Sequence, residues 1–345
     1  MKICLVTNYL NKGYTEEIEI LNQLKITLKL SSSDVVDFSN ANKVYDINND
    51  YTHVLILLDY HITSYKYILN FISELTLPKT FIIDSIPEVE EMLDKQFTGR
   101  YSATKDFYFP TIQKESWNKL YLLADSFIFY NDIDYLEFTR TYDLENIKKE
   151  IIPPSLGKKE DIVFNFQNVI KNKNIGFIGS PSYSKGIFHY GYLHDQNPTY
   201  NFSMYGSHGK NPLKNESIAN HITTNCNNSK FCGRLKDKNK FYLNNFVYYD
   251  FAIYSPFSYF MYKSLINGVI PIISKNTPSY QYLPNYPFAS EYMDISSFNQ
   301  QLLNIENTPV SELIEIMSMY VEHLSNTLND DIIKNIYYKF LKSTI

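Results

Sequence analysis

The sequence predicts an α/β protein made of two Rossmann-like domains, and three observations lead to that expectation. The chain has 345 residues, too many for one ordinary core and suited to two domains of about 150 residues each. Short β-rich apolar runs alternate with helix-length amphipathic segments almost from end to end, which is typical of parallel α/β architecture. A Pro-Pro pair at residues 153–154 interrupts this alternation near the middle of the chain.

The first half carries five predicted strands and three helices. The strands are Lys2–Asn8, Asp34–Phe38, Thr52–Leu58, Thr80–Asp84 and Ser126–Asn131. The helices are Thr15–Leu28, Ser64–Leu75 and Trp117–Ala124. Thr15 precedes two glutamates, so we expect it to cap the first helix.

Residues 147–174 break the pattern, and the second half then restarts it. The strands expected there are Asn174–Ile178, Tyr200–Tyr205, Phe231–Gly233, Phe251–Tyr254, Val269–Ser274 and Glu291–Asp294. Asp331–Leu341 is predicted to be an amphipathic helix with one apolar stripe. The predicted organisation is therefore a domain at 1–155, a second at 172–325, and a terminal helix within 326–345 that packs back on the first domain.

Composition excludes several classes of protein. Hydrophobic residues make up 44% of the chain and aromatic residues 16%, which is enough for packed cores and excludes a disordered chain. No apolar run approaches the roughly 20 residues that cross a bilayer, and the first residues lack a signal-peptide core, so a cytoplasmic protein is expected. Three cysteines cannot form a disulfide framework, and the histidines show no metal-ligand spacing. We expect no metal site and no metal requirement for folding, and the oligomeric state stays open.

The net charge of −5 is unevenly distributed. The stretch from Lys171 to Lys240 holds ten Lys or Arg and three Asp or Glu, whereas the rest of the chain holds 22 basic and 34 acidic residues. A phosphate-bearing ligand would suit the basic stretch. A solvated surface rich in Lys and Asn is the equally weighted alternative.

A glycine turn follows the first strand of the second half. The segment Ile178–Gly186 reads Ile-Gly-Ser-Pro-Ser-Tyr-Ser-Lys-Gly. Backbone N–H groups of such a turn can bind a phosphate, and the ammonium of Lys185 can neutralise it. The spacing is neither that of a P-loop nor that of a dinucleotide fingerprint, so an ordinary β–α turn is the alternative.

A second segment, residues 254–273, adds to this hypothesis. A strand ends at Ser255, a helix of about three turns follows, and Gly268 closes that helix before the next strand. The N-terminus of the helix, which carries Ser255 and Ser258, is expected to point free N–H groups to the carboxyl ends of the strands, where α/β folds bind ligands.

Taken in order, these motifs resemble a family. In chain order they are an Ile-Gly turn with Lys-Gly, a Tyr-Gly pair, a Gly-Arg pair, and a helix followed by Gly-x-x-Pro-Ile-Ile. This order looks like the donor domain of retaining GT-B glycosyltransferases. It is most similar to the DNA α-glucosyltransferases of T-even bacteriophages, which use UDP-glucose. The resemblance implies the GT-B fold, in which two Rossmann-like domains face each other across a cleft and a C-terminal helix crosses back to the first domain.

The resemblance also implies a donor site for a nucleotide sugar, with a UDP-sugar favoured. Gly179 matches the glycine near the donor diphosphate, and Lys185 matches the lysine that contacts phosphate. Lys185 is therefore the first candidate to stabilise the departing nucleotide, with an ordinary surface lysine as the alternative. The other implied donor residues are Ser180, Gly206, Arg234, Ser255, Ser258 and Lys263. Two of these depart from the family pattern, because Ser180 stands in place of an arginine and Lys263 in place of a glutamate. Arg234 or Lys263 could replace the lost contact; a changed donor or a site that binds without turnover are the alternatives.

The acceptor side is expected in the first half. Asn8, Lys12, Gly13 and Tyr14 form the loop after the first strand, and Asp84 ends the fourth. Asp84 is the candidate to orient or deprotonate the acceptor, with an ordinary helix-capping aspartate as the alternative.

The predicted function is thus transfer of a sugar, with retention, to an acceptor hydroxyl. A hydroxymethylated base in phage DNA is the favoured acceptor and a surface glycan the next, and DNA would be a partner through the basic stretch. A non-catalytic relative that binds a nucleotide or a partner protein is the competing hypothesis, and a nucleotide-sugar epimerase is the third.

Overall fold

A computed structural model describes most of the chain, and its residues group into two compact units. The described residues are 1–8, 16–38, 43–58, 65–83, 111–142, 146–179, 187–206, 226–250, 255, 257–291 and 294–344. The first unit comprises Met1–Lys158 together with Thr327–Ile345, and the second comprises Lys159–Asn326.

The first unit is built on a six-stranded parallel sheet with strand order β2-β1-β3-β4-β5-β6. Its strands are β1 Ile3–Thr7, β2 Val35–Asp37, β3 His53–Leu57, β4 Lys79–Ile83, β5 Ser126–Phe129 and β6 Lys148–Ile151. Every residue of β1, β3 and β5 is buried. Such continuous burial is typical of parallel strands covered on both faces.

Six α-helices accompany this sheet in the described part of the first unit. They are α1 Glu16–Leu28, α2 Val44–Asp50, α3 Tyr65–Ser73, α4 Thr111–Tyr121, α5 Asp132–Thr141 and the terminal helix, α11, Asp330–Lys342. Asn131 precedes helix α5, and its side chain accepts a hydrogen bond from the Asp134 N–H at 2.8 Å. This is the usual capping arrangement of an Asn before a helix.

The terminal helix is anchored to the first unit through one carboxylate. Oδ1 of Asp330 accepts hydrogen bonds from Gln23 Nε2 at 2.8 Å, Thr27 Oγ1 at 2.7 Å and Ser155 Oγ at 2.8 Å. The backbone N–H of Asp330 also donates to the Gly157 carbonyl at 2.8 Å. As the predicted fold class requires, the terminal helix therefore belongs to the first unit.

Removal of this carboxylate is expected to weaken the first unit. We expect Asp330→Ala to lower its free energy of unfolding by about 2–3 kcal/mol, because three donors lose a charged acceptor. Urea denaturation followed by the fluorescence of Trp117, the single tryptophan of the chain, measures this. Asp331→Ala is the matched control, since Asp331 is exposed on the same turn. Equal losses for the two variants would contradict the anchoring role.

A buried polar chain crosses three strands of the same sheet. His53 Nε2 lies 2.7 Å from Thr80 Oγ1, which lies 2.6 Å from Ser126 Oγ. Nδ1 of His53 has no hydrogen-bond partner among the described residues. Burial lowers the pKa of His53 to about 4, although nearby Asp125 opposes the shift. The imidazole is therefore neutral in the fold at physiological pH.

This lowered pKa predicts a loss of stability in acid. An unfolded histidine has a pKa of about 6.5, so the contribution of His53 is complete above that pH and is lost as the pH falls toward 4. Between pH 7 and pH 4.5 we expect His53 to account for a loss of about 2–3 kcal/mol. Urea denaturation of wild type and His53→Gln at both pH values measures it. The variant should lose less stability on acidification; an identical loss would refute the prediction.

The second unit has its own six-stranded parallel sheet, with strand order β12-β11-β10-β7-β8-β9. Its strands are β7 Asn174–Ile178, β8 Asn201–Tyr205, β9 Ser229–Phe231, β10 Val247–Asp250, β11 Ile270–Ser274 and β12 Ala289–Ser290. Its described helices are α6 Ile187–Gln196, α7 Lys238–Asn244, α8 Tyr259–Ile266, α9 Ile295–Asn307 and α10 Val310–Thr327. The two parallel sheets confirm the predicted α/β class.

Helix α8 ends as the sequence predicted. Gly268 has a φ of +85°, and a Cβ there would lie 2.7 Å from the Asn165 carbonyl oxygen. The Val269 N–H donates to the Ser264 carbonyl at 2.9 Å, and the Gly268 N–H donates to that of Leu265 at 3.2 Å. These bonds form a Schellman motif, which requires the left-handed conformation at Gly268.

Four predicted elements need correction. The helix expected at Trp117–Ala124 lies at Thr111–Tyr121. Residues 148–151 were expected to be irregular, but they form the edge strand β6. Their sequence, Lys-Lys-Glu-Ile, lacks an apolar run because an edge strand carries charged side chains. The strand expected at 231–233 lies two residues earlier, at Ser229–Phe231, and the one expected at 291–294 lies at Ala289–Ser290. Val247–Asp250 is the strand that precedes α8, whereas the predicted strand, 251–254, falls outside the described residues.

Among the described helices, none is long and apolar enough to cross a bilayer.

Candidate functional site

The strand order of the second sheet identifies where a ligand is expected to bind. From β7 the chain adds β8 and β9 on one side, and then returns to add β10, β11 and β12 on the other. The order therefore reverses between β7 and β10, which are paired neighbours. Open α/β sheets bind their ligands at such a point, beyond the carboxyl ends of the strands.

Three neighbouring strands are followed by glycine at this edge. Gly179 directly follows β7, Gly206 follows β8, and Gly233 lies just beyond β9. The Gly179 N–H donates to the Tyr205 carbonyl at 2.8 Å, and the Gly206 N–H donates to that of Gly233 at 2.9 Å. At Gly179 the Phe177 ring occupies the place that a Cβ would take, so packing requires glycine there. Gly206 carries no side chain, so a ligand can approach its backbone closely.

The third glycine is also conformationally required. Gly233 has a φ of +69°, and no described atom lies within 4 Å of where its Cβ would be.

Two causes raise the pKa of Tyr205 to about 12: burial of its phenol is the larger, and the nearby Cys232 thiol is the smaller. The phenol beside the glycine edge is therefore neutral at physiological pH.

A buried hydrogen-bonded network joins the end of β10 to the start of α8. Ser258 Oγ donates to Asp250 Oδ2 at 2.8 Å, and the Ser258 N–H donates to Ser279 Oγ at 2.7 Å. The Tyr262 hydroxyl donates to the Ser279 carbonyl at 2.5 Å. All four residues are buried. This network fixes the first turn of α8 at the point where the strand order reverses.

The network also alters one expectation about that helix N-terminus. The Ser258 N–H is bound to Ser279, and the Tyr259 N–H donates to the Phe257 carbonyl at 2.9 Å. The expectation of free N–H groups is therefore wrong for these two amides, because the neighbouring loop satisfies them. Helix α8 would therefore attract an anion largely through the positive end of its dipole.

Six predicted donor residues are described, and all belong to the second unit. Gly179, Gly206 and Arg234 follow β7, β8 and β9, while Ser255, Ser258 and Lys263 lie beyond β10 and on α8. Arg234 is exposed, and the Lys263 ammonium lies 5.3 Å from the centre of the Tyr259 ring. Ser180 and Lys185 lie outside the described residues.

On the acceptor side, Asn8 is the one described residue of the predicted set. It is half-buried and follows β1, between β2 and β3, where the order of the first sheet also reverses. The predicted residues Lys12, Gly13, Tyr14 and Asp84 lie outside the described part of the chain.

Asp250 and Ser279 were missed by sequence reasoning. Asp250 ends a strand that was expected a few residues later, and Ser279 lies in a short 3-10 helix, Pro278–Tyr282, on another loop. An aspartate that ends an apolar run was the available signal for the first. Nothing local distinguishes Ser279, because its partners are distant in sequence. Within the described ranges, no group of three or more His, Cys, Asp or Glu side chains is placed to hold a metal ion.

Comparison with known proteins gives a structural answer only. No protein-family model and no curated protein sequence matches the chain. Anabaena HepE in complex with UDP-glucose is similar in structure, with a TM-score of 0.75, 12% identity, and coverage of 99% of this chain and 100% of that one. HepE with UDP and glucose gives a TM-score of 0.74 at 13% identity, with the same coverage.

Sucrose-phosphate synthase from Thermosynechococcus elongatus is also similar. Its TM-score is 0.68 at 12% identity, over 96% of this chain and 80% of that one. These similarities extend over nearly the whole chain and confirm the GT-B fold. The narrower resemblance to phage DNA glucosyltransferases stays a prediction.

Proposed function

We propose that this protein is a glycosyltransferase that moves a sugar from a nucleotide-sugar donor, with a UDP-sugar favoured, to an acceptor hydroxyl. The observation that carries the proposal is the full-length likeness to a protein solved with UDP and with UDP-glucose. The glycine-bearing edge of the second sheet supports it, because that edge lies where α/β folds bind nucleotides.

In this proposal the second unit binds the donor. Gly179 lies near the diphosphate, and Lys185 stabilises the negative charge that develops on the departing nucleotide. Gly206, Arg234, Ser255 and the other predicted donor residues, Ser180, Ser258 and Lys263, complete the site. The bond between the sugar and the phosphate oxygen breaks as the acceptor oxygen attacks on the same face, so the configuration is retained.

The first unit supplies the acceptor contacts, from Asn8, Lys12, Gly13 and Tyr14. Asp84 orients or deprotonates the acceptor hydroxyl. A hydroxymethylated base in phage DNA is the favoured acceptor, since the basic stretch between Lys171 and Lys240 would contact phosphates. A surface glycan is the second acceptor class. The reaction is placed in the cytoplasm, which is that of the host if a phage encodes the chain.

The test of activity is donor hydrolysis. The protein is incubated with UDP-, GDP- and ADP-sugars, and released nucleotide is quantified, with Lys185→Ala as the control. Release from one donor that depends on Lys185 supports the proposal. Binding of a nucleotide without release from any donor would favour a non-catalytic GT-B relative. That second function is considered because Ser180 and Lys263 depart from the family pattern.

The acceptor is tested separately. We expect binding to hydroxymethylated DNA to weaken steeply as salt rises from 50 to 200 mM, because phosphate contacts release counterions. Fluorescence anisotropy with a labelled duplex measures this binding. If the affinity does not change with salt, or if sugar is incorporated into a glycan but not into the duplex, the DNA acceptor is excluded.

A further inference from the structure

Helix α7 brings its first residue to the point where the strand order of the second sheet reverses. The helix connects β9 to β10 and packs across the central strand, since a Cβ at Gly176 of β7 would lie 2.6 Å from the Phe241 ring. That ring also meets Tyr205 of β8 at 5.3 Å and Tyr248 of β10 at 6.3 Å between centroids. Because α7 follows a parallel strand, it begins at the carboxyl edge of the sheet.

Lys238 is the first residue of α7 and extends toward α8. Its ammonium lies 5.6 Å from the centre of the Phe260 ring, a cation–π contact. Phe260 is the second residue of α8 and is almost fully buried. The contact therefore holds the positive charge of Lys238 beside the first turn of α8.

A second ammonium reaches the same turn. The side chain of Lys263 points back along α8, as helical side chains do, and its ammonium lies 5.3 Å from the centre of the Tyr259 ring. The ring centroids of Tyr259 and Phe260 are 6.4 Å apart, so the two ammoniums lie against aromatic rings of the same turn, at the positive end of the helix dipole. The nearby carboxylate of Asp250 is buried and accepts from Ser258. Like charges gathered in this way favour an anionic ligand.

We propose that Lys238 is a further donor-binding residue, which contacts the diphosphate of a nucleoside diphosphate sugar beside Lys263. This inference rests on the proposed function, because it assigns a residue to the same donor site. The ammonium of Lys238 gives the site a positive charge in place of the arginine that Ser180 replaces. Lys238 lies outside both motifs that identified the site in the sequence.

The test is calorimetric binding of UDP, UMP and uridine to Lys238→Gln in the full chain. We expect the Kd for UDP to rise about tenfold, as loss of one charged contact implies, while uridine affinity is unchanged. Lys238→Arg should retain UDP affinity. Lys240→Gln is the matched control, since Lys240 is an exposed lysine two residues along α7, where side chains do not face the same way.

The outcomes distinguish failure of this inference from failure of the proposed function. Unchanged UDP affinity in Lys238→Gln overturns this inference and leaves the proposed function standing. An equal loss for UDP and uridine shows a structural role for Lys238 and also overturns it. If wild type binds none of UDP, GDP and ADP, the proposed function fails, and this inference fails with it.

Discussion

Replacement of Phe138 by alanine is expected to lower the free energy of unfolding of the first unit by about 3–5 kcal/mol. Phe138 is fully buried on α5, and its ring lies 4.8 Å from that of Phe127 and 5.1 Å from that of Phe129, both on β5. It also lies 5.0 Å from Tyr121 and 4.6 Å from Tyr142. Truncation removes one ring from contact with four others and leaves a cavity that packed neighbours cannot fill.

The single tryptophan makes this measurement direct. Trp117 lies 5.5 Å from Tyr121, so its fluorescence reports on the same aromatic cluster during urea denaturation. Leu136→Ala is the matched control, because Leu136 is 50% exposed on the same helix. We expect that control to change the free energy of unfolding by less than about 0.5 kcal/mol. A Phe138→Ala variant as stable as the control would show that the cluster does not hold the helix to the sheet.

Replacement of Lys185 by alanine is expected to lower the turnover of the donor by about 10²–10³-fold. In the proposed mechanism its ammonium stabilises charge that appears on the leaving diphosphate as the sugar–oxygen bond breaks. The effect should therefore fall on kcat more than on donor affinity. Released nucleotide, measured over a range of donor concentrations, separates the two. Lys236→Ala, which removes an exposed lysine of the same basic stretch, should leave turnover unchanged. A Lys185→Ala variant with wild-type kcat would remove Lys185 from the mechanism.

Strands buried on both faces were predictable from the sequence. Strands β1 and β3 are built on the apolar runs 3–6 and 54–57, so their positions follow from composition. Strand β6 was not predictable in this way, because an edge strand carries Lys and Glu in place of an apolar run. Strand β10 lies in a long aromatic stretch, residues 246–254, where sequence alone does not decide which part joins the sheet.

Some residues of the candidate site were likewise predictable from local sequence, and others were not. Gly179 and Gly206 follow strands directly, so their place at the sheet edge follows from local sequence. The network of Asp250, Ser258 and Ser279 depends on a loop 21 residues away from Ser258, and only the tertiary fold brings these groups together. The same is true of Lys238 against Phe260, which lie on different helices.

The terminal helix that Asp330 anchors has a consequence for folding during synthesis. Multidomain chains generally complete their N-terminal domain first as they leave the ribosome. Here α1 awaits partners from 327–345, which are translated after all of 159–326. The second unit has its whole set of strands and helices before the first has its last helix. A nascent chain that has emerged from the ribosome only as far as residue 326 would therefore carry a foldable second unit and a first unit with the surface of α1 still uncovered.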